Sequence, residues 1–203
     1  MGEDSIWEEF RHGNSSVLGV LFAKYSDSMF AYGMKFTADR EMVKDAIQEV
    51  FCRLLNAGGR LGDARNVKGY LLCALRHELI RQLSRSKFLS FSDNPLVFDM
   101  TADDDALNRL QNGEDEEEQQ LLRRLVEAVG QLSARQKEAI YLRYIQEVPV
   151  SDIAGIMGIS YQSTRNVLHK AMLKLREQLG SGTPLASSTL VALLLQVFAP
   201  LHP

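Results

Sequence analysis

The sequence Ile153-Ala154-Gly155-Ile156-Met157-Gly158-Ile159-Ser160 decides the fold of the C-terminal part of this chain. It combines a short apolar helix, a glycine where the helix must stop in a left-handed conformation, and a serine that can cap a following helix. Residues 161–176 continue with helical spacing. The stretch therefore predicts a helix-turn-helix with a long second helix, a structure typical of proteins that bind DNA.

The long helix is expected to have a buried face and a polar face. Thr164, Leu168, Ala171 and Leu175 recur at helical spacing and should face the domain core. The opposite face carries side chains that can hydrogen-bond base edges or phosphates where a recognition helix meets the major groove, namely Gln162, Arg165, Asn166 and His169. The alternative is an ordinary helical hairpin with a solvated polar face.

Charge is distributed unevenly along the chain, although the net charge is only −3. Residues 99–118 carry nine acidic side chains against Arg109 alone. Residues 60–87 carry seven bases and two acids, and residues 133–178 carry seven bases and four acids. Two basic regions that can attract phosphate are thus joined by an acidic connector.

Length and composition indicate an ordinary intracellular protein. The 203 residues, 45% hydrophobic and 24% charged, fit one ordinary domain or two small ones. No secretion leader is recognisable at the N-terminus, and we expect a cytoplasmic location. Cys52 and Cys73 lack metal-ligand spacing and are expected to be reduced core residues. We expect no metal, no cofactor and no enzymatic activity, since nothing resembles a nucleophile with its base or a phosphate-binding glycine loop.

Apolar residues recur at helical spacing almost throughout, so the predicted fold class is all-α. Helices are expected near residues 15–34, 40–56 and 67–84, with Gly58 and Gly59 ending the second, and Ser133 with Gln136 should form a capping box. The chain after the third helix loses this periodicity and is rich in turn-forming and acidic residues, which is the composition of a linker. The predicted organisation is two small helical domains at 1–87 and 119–180, joined by the acidic linker 88–118 and followed by an apolar tail at 181–203.

The stretch Asp45-Ala46-Ile47-Gln48-Glu49-Val50-Phe51 is the second informative pattern. It places three polar side chains on one helix beside Arg53 and beside Phe51, which belongs to the apolar stripe of this helix but can also be exposed. An amphipathic core helix and a docking face for a partner helix are both compatible with this pattern, and spacing alone does not choose between them.

This stretch matches the D-x-x-Q-E-x-F signature of the sigma factors of bacterial RNA polymerase, and the chain resembles their extracytoplasmic-function (ECF) group. The order of other segments agrees with the resemblance: residues 22–25 and 29–32, 70–77, 132–144, 152–154, 165–171 and 175–176. The amino-acid sequence of residues 161–166 is similar to that of ECF factors of Bacteroidetes. Val167, Arg81 and Leu55 depart from the side chains that many relatives have there, so DNA sequence preference does not transfer from relatives.

The resemblance implies a factor that binds core RNA polymerase and directs promoter recognition, under the control of an anti-sigma factor and without direct membrane insertion. It implies that Asp45, Gln48, Glu49 and Phe51 bind the core enzyme. It places minus-ten contacts at Arg60, Arg65, Asn66, Arg76, His77 and Arg81, where melting needs a pocket for an unstacked base. It places minus-thirty-five contacts at Ser160, Gln162, Ser163, Arg165, Asn166, His169 and Lys170. The alternative is a stand-alone helix-turn-helix regulator.

The tail is almost wholly apolar from Leu190 to Phe198, with Gln196 as the polar exception. About ten apolar residues are too few to span a bilayer, which needs ~20. Because such a helix is costly to leave in water, we expect it to be covered by the chain itself, by a second copy or by an anti-sigma partner. One hypothesis is that the tail holds the two domains closed; the other is that it extends the core of the C-terminal domain.

Overall fold

The computed structural model describes residues 3–57, 66–89, 98–100, 116–179 and 187–199. Helices make up most of these ranges, which contain no strand. The all-α prediction is confirmed. The chain divides into two compact units, Met1–Val97 with Gly155–Gly158, and Phe98–Ala154 with Ile159–Pro203.

The first unit contains four helices among its described residues: α1 (Glu3–Arg11), α2 (Leu18–Gly33), α3 (Arg40–Ala57) and α4 (Val67–Leu89). A 3-10 turn, Ser15–Val17, leads into α2. Helix α1 was not predicted, because its nine residues offer only a short apolar pattern among charged side chains. Its Trp7 and Phe10 are nevertheless buried, so α1 belongs to the core of this unit.

Close contact between α2 and α3 depends on a residue without a side chain. A Cβ atom on Gly33 would lie 2.5 Å from Cγ1 of Val43, which is fully buried. Val43 is stiff at χ1 and cannot easily turn away. Glycine at the end of α2 therefore permits the approach of α3.

The described residues of the second unit contain α5 (Glu116–Gly130), α6 (Ala134–Ile140), the first five residues of α7 (Val150–Met157), α8 (Tyr161–Leu179) and α9 (Ser187–Phe198). Helix α6 continues as a π-helical turn, Tyr141–Ile145. The predicted capping box is confirmed, since Gln136 N donates to Ser133 Oγ at 3.3 Å and Ser133 N donates to Gln136 Oε1 at 3.1 Å. This fixes where α6 begins.

Parts of the predicted linker are ordered. Helix α4 runs to Leu89, and α5 begins at Glu116. The acidic side chains at the start of α5 favour a helix there, because negative charge is stabilising in a first turn. Phe98 and Met100 are buried, and the Phe98 ring lies 5.7 Å from that of Tyr141. Residues 90–97 and 101–115 lie outside the described residues.

The apolar tail forms α9, which packs on α5 and on the π-helical turn of its own unit. Its buried face consists of Leu190, Leu193, Leu194, Val197 and Phe198. Gln196 Nε2 donates to Glu118 Oε1 at 3.0 Å, which ties α9 to the start of α5. These contacts support the hypothesis that the tail extends the core of the C-terminal domain. None of the described helices is long and apolar enough to cross a bilayer.

One expectation of burial was wrong. Both cysteines are free, but Cys52 is exposed, because it lies on the outer side of α3. Phe51, for which the sequence pattern left burial and exposure open, is only 6% exposed, because the Phe22 ring covers it edge-on at a centroid distance of 5.1 Å.

Candidate nucleic-acid interface

The turn between α7 and α8 sets the start of the long helix. Gly158 has φ of 64°, a conformation in which a side chain would be strained. Two residues later Ser160 caps α8, since Ser163 N donates to Ser160 Oγ at 3.1 Å and Thr164 N donates to Ser160 O at 2.9 Å. The helix stop and the cap are where the sequence predicted them.

The two faces of α8 are also as predicted. Thr164, Leu168, Ala171 and Leu175 are buried. The side chains of the opposite face are all exposed, and we call them the recognition face: Gln162, Arg165, Asn166 and His169. Gln162 Nε2 donates to Asn166 Oδ1 at 3.3 Å. Ser160, Ser163 and Lys170 are exposed beside them.

A pocket of about 310 Å³ adjoins the recognition face. Its wall away from α8 consists of Arg143, Tyr144 and Val150. Arg143 Nη1 donates to Val148 O at 3.3 Å, which holds this cation beside α8. Sequence reasoning missed Arg143 and Tyr144 as neighbours of the recognition face, because they reach it only through the packing of α6 on α8.

The outer side of α3 presents the predicted polymerase-binding residues. Asp45 and Gln48 are exposed, and the half-buried Glu49 accepts a hydrogen bond from Arg53 Nε at 2.9 Å. Phe51 lies behind them, under Phe22, which is 46% exposed. The accessible aromatic ring at this surface is therefore that of Phe22.

A second concave site lies between α3 and α4, with a volume of about 300 Å³. We call it the base pocket. Helix α3 supplies apolar residues and a cation, and α4 supplies an aromatic ring and an imidazole; the lining is Val50, Arg53, Leu54, Ala57, Tyr70, Ala74 and His77. Such a site combines apolar walls with a few polar groups, as sites for planar ligands do.

A buried carboxylate stands directly beside the base pocket. Glu78 is fully buried, yet it follows His77 in α4. Glu78 Oε2 accepts hydrogen bonds from Arg53 Nη2 at 2.6 Å and from Arg81 Nε at 2.9 Å, and Oε1 accepts from Gln82 Nε2 at 2.8 Å and from Arg81 Nη2. The Arg81 hydrogen bond in particular lowers the pKa of Glu78 to about 2. We call these four residues the Glu78 cluster.

The predicted minus-ten residues occupy different environments. Asn66 Oδ1 accepts from Gly69 N at 3.1 Å and so caps α4, while Arg81 is paired with Glu78. His77 is exposed and lines the base pocket, and Arg76 is half-buried. Arg60 and Arg65, like Gly58 and Gly59, lie outside the described residues.

The aromatic wall of the base pocket is supported from behind. Trp7 of α1 packs on Tyr70 with ring centroids 5.3 Å apart. Sequence reasoning missed this contact, and also Glu78, because partners 63 and 25 positions apart leave no local pattern. A lone acid amid basic and apolar residues in α4 was the available signal for Glu78.

Comparison with known proteins identifies two matching family models. Models described as sigma-70 region 2 and sigma-70 region 4 match residues 21–88 and 122–175. The ECF RNA polymerase sigma factor SigX of Bacillus subtilis is 23% identical over 165 residues, which cover 79% of this chain and 82% of that protein. The RNA polymerase sigma factor CarQ of Myxococcus xanthus is 24% identical over 177 residues, which cover 85% and 95%.

The fold is also similar to a solved structure. The sigma factor RpoE, in complex with the anti-sigma factor NepR from Bartonella quintana, superposes with a TM-score of 0.56 at 20% identity. The match covers 81% of this chain and 98% of RpoE. Because both family models match in the expected order, this chain belongs to the sigma-70 family of RNA polymerase sigma factors, in its ECF group.

Proposed function

We propose that this chain docks on core RNA polymerase through α3, holds one unstacked base of the minus-ten element in the base pocket, and reads the minus-thirty-five element with α8. The observation that carries the proposal is that one unit has a capped, exposed recognition face and the other has a concave site with apolar walls, an aromatic ring and the N–H donors of Arg53. The first suits the edges of a duplex, and the second suits a single base.

The polymerase contact is assigned to the exposed side of α3. Asp45 and Gln48 are directly available to a partner, and Glu49 is partly available. Phe22 supplies an exposed ring in front of the buried Phe51, so the apolar part of the contact is assigned to Phe22, with Phe51 beneath it as support. A polar surface around an aromatic anchor is a common composition for a protein interface.

The minus-ten contact is assigned to the base pocket. Its apolar walls and the Tyr70 ring can take the faces of a base, while Arg53 and His77 can hydrogen-bond its polar edge. The predicted cations Arg60, Arg65 and Arg76 would then hold the phosphates of the single strand, whereas Arg81 is paired with Glu78. Binding energy of this kind can favour the melted state without covalent chemistry.

The minus-thirty-five contact is assigned to the recognition face. Arg165 and Asn166 lie near the start of α8, where a recognition helix contacts base edges. Ser160, Ser163 and Lys170 border them and suit contacts with phosphate. This assignment predicts that Arg165 and Asn166 make base-specific contacts, and that the side chains bordering them make contacts independent of the DNA sequence.

Regulation by an anti-sigma factor and a cytoplasmic location complete the proposal. The similar RpoE was solved with the anti-sigma factor NepR. Relatives such as SigX and CarQ are named as RNA polymerase sigma factors, and a protein with that role works where the polymerase is. An anti-sigma factor would act by covering the α3 surface or the recognition face.

The test is transcription in vitro from a pool of promoter fragments by core polymerase with the full chain. We expect a defined subset of promoters to be transcribed. Gln48→Ala should weaken binding to the core enzyme, whereas Glu41→Gln, an exposed change on the first turn of the same helix, should not. DNA binding without polymerase binding would contradict the proposal and favour a stand-alone regulator.

A further inference from the structure

The Glu78 carboxylate is fully buried, and its two oxygens accept as many hydrogen bonds as a carboxylate ordinarily can. A carboxylate can accept about four hydrogen bonds. In the Glu78 cluster these come from Arg53, from both ends of the Arg81 fork and from Gln82. The sequence resemblance assigns no role to this residue, and Arg81 stands where many relatives have an aspartate.

Arg53 is the member of the cluster that reaches the base pocket. Its guanidinium is fixed from two sides, because Nε donates to Glu49 at 2.9 Å and Nη2 donates to Glu78 at 2.6 Å. The side chain is nevertheless about half exposed and lines the pocket. An arginine held by two carboxylates loses little rotamer freedom when it meets a ligand.

The cluster also limits the positive charge beside the pocket. Glu78 offsets one of the two positive charges of Arg53 and Arg81, which would otherwise attract any phosphate backbone. Glu49 pairs with Arg53 from the solvent side. The pocket rim therefore has directed N–H donors with little excess charge.

We propose that Glu78 is a positioning residue for promoter opening: it holds Arg53 at the rim of the base pocket in the orientation that receives an unstacked base, and it suppresses sequence-independent binding of DNA there. The inference rests on the proposed function of the base pocket. It predicts that removing the charge of Glu78 lowers promoter opening and raises non-specific DNA binding. If the role of Glu78 were purely structural, the same substitution would lower both promoter opening and non-specific binding.

The experiment compares Glu78→Gln with the full-length wild type, each with core polymerase on a promoter chosen from the pool. Opening is measured by permanganate reactivity of unpaired thymines, and non-specific binding by titration of unrelated duplex DNA over a range of salt. We expect opening to fall on the order of tenfold, the worth of a charge-assisted hydrogen bond. Non-specific affinity should rise, with a salt slope steeper by up to about 0.9 for one additional effective charge.

Two further variants keep the test decisive. Arg53→Lys changes a half-exposed side chain, retains its charge and cannot contact both carboxylates in the same way. It should lower opening without changing the salt slope. Glu41→Gln removes an exposed acid from α3 and should leave opening unchanged.

Two results would overturn the role of Glu78. One is that Glu78→Gln or Arg53→Lys opens the promoter at the wild-type rate. The other is that Glu78→Gln loses promoter opening and non-specific DNA binding in parallel. Failure of the proposed function looks different, because the wild type itself would then fail to bind core polymerase or to open any promoter.

Discussion

The recognition face and the base pocket differ in how their polar side chains are held. On α8 the side chains of Gln162, Arg165, Asn166 and His169 stand in solvent, on a helix whose opposite face is buried. At the base pocket Arg53 is fixed by a buried carboxylate, and Tyr70 is supported by Trp7. Exposed side chains on one helix face suit the edges of a duplex, whereas a pocket whose side chains are held in place suits one unstacked base.

The largest effect is expected on stability, when Trp7, which packs behind the Tyr70 ring of the base pocket, is replaced. Trp7→Ala should cost about 3–5 kcal/mol of unfolding free energy in the first unit, because it leaves a cavity behind Tyr70. Trp7→Phe should cost much less, since the buried Trp7 Nε1 has no hydrogen-bond partner among the described residues. Urea denaturation measures both. Equal losses in the two variants would show that the indole nitrogen, and not ring packing, matters.

A comparable loss of stability, with a different functional result, is expected in the second unit. Leu194→Ala in α9 should cost about 2–5 kcal/mol, because Leu194 is fully buried. The remaining folded protein should bind minus-thirty-five duplex normally, because α9 packs on α5 and on the π-helical turn. The exposed change Leu195→Ala is the matched control. Tighter DNA binding by Leu194→Ala would instead indicate that the tail inhibits.

On the recognition face, single substitutions should change specificity but not stability. Arg165→Ala and Asn166→Ala should each cost about 1–3 kcal/mol of binding to the minus-thirty-five element. Glu177→Gln, exposed in the last turn of α8, is the control. Competition titrations against single-base variants of the duplex measure the effect. A loss that is equal for all sequences and lowers the salt slope would mean that these residues contact phosphate instead.

The last effect appears only at acid pH and concerns the stability of the first unit. The pKa of Glu78 is lowered from 4.5 to about 2, so its ion pairs stabilise the folded state fully above pH 4.5 and are lost as the pH falls through about 2. The stability difference between wild type and Glu78→Gln should therefore be constant above pH 4.5 and should narrow below it. Urea midpoints over this range provide the measurement. A constant difference down to pH 2 would contradict the assignment of the low pKa to Glu78.

The same contrast explains which features could be predicted from the sequence. Helix periodicity, Gly158 and Ser160 are local signals, so both faces of α8 and its start were predicted correctly. The sequence pattern left open whether Phe51 is buried or exposed, because its burial depends on a ring from another helix.

The base pocket depends almost wholly on contacts between distant positions. Tyr70 and His77 were within reach of sequence reasoning, but their arrangement with Arg53 requires the packing of α3 on α4. Glu78 shows the limit most clearly, because a buried acid in a basic helix is favourable only once Arg53 and Arg81 are both beside it. Trp7 was missed because α1 is so short that Ile6, Trp7 and Phe10 form only a brief apolar pattern among charged side chains.

The most direct test of the account is to ask whether the base pocket receives an unstacked base. 2-Aminopurine is placed at successive positions of the minus-ten non-template strand, and its fluorescence is followed when the full chain and core polymerase are added. We expect the fluorescence to change at one position in a manner that depends on the pocket, so that Tyr70→Ala abolishes the change and Glu177→Gln does not. The absence of such a position, or an unchanged signal in Tyr70→Ala, would contradict the account.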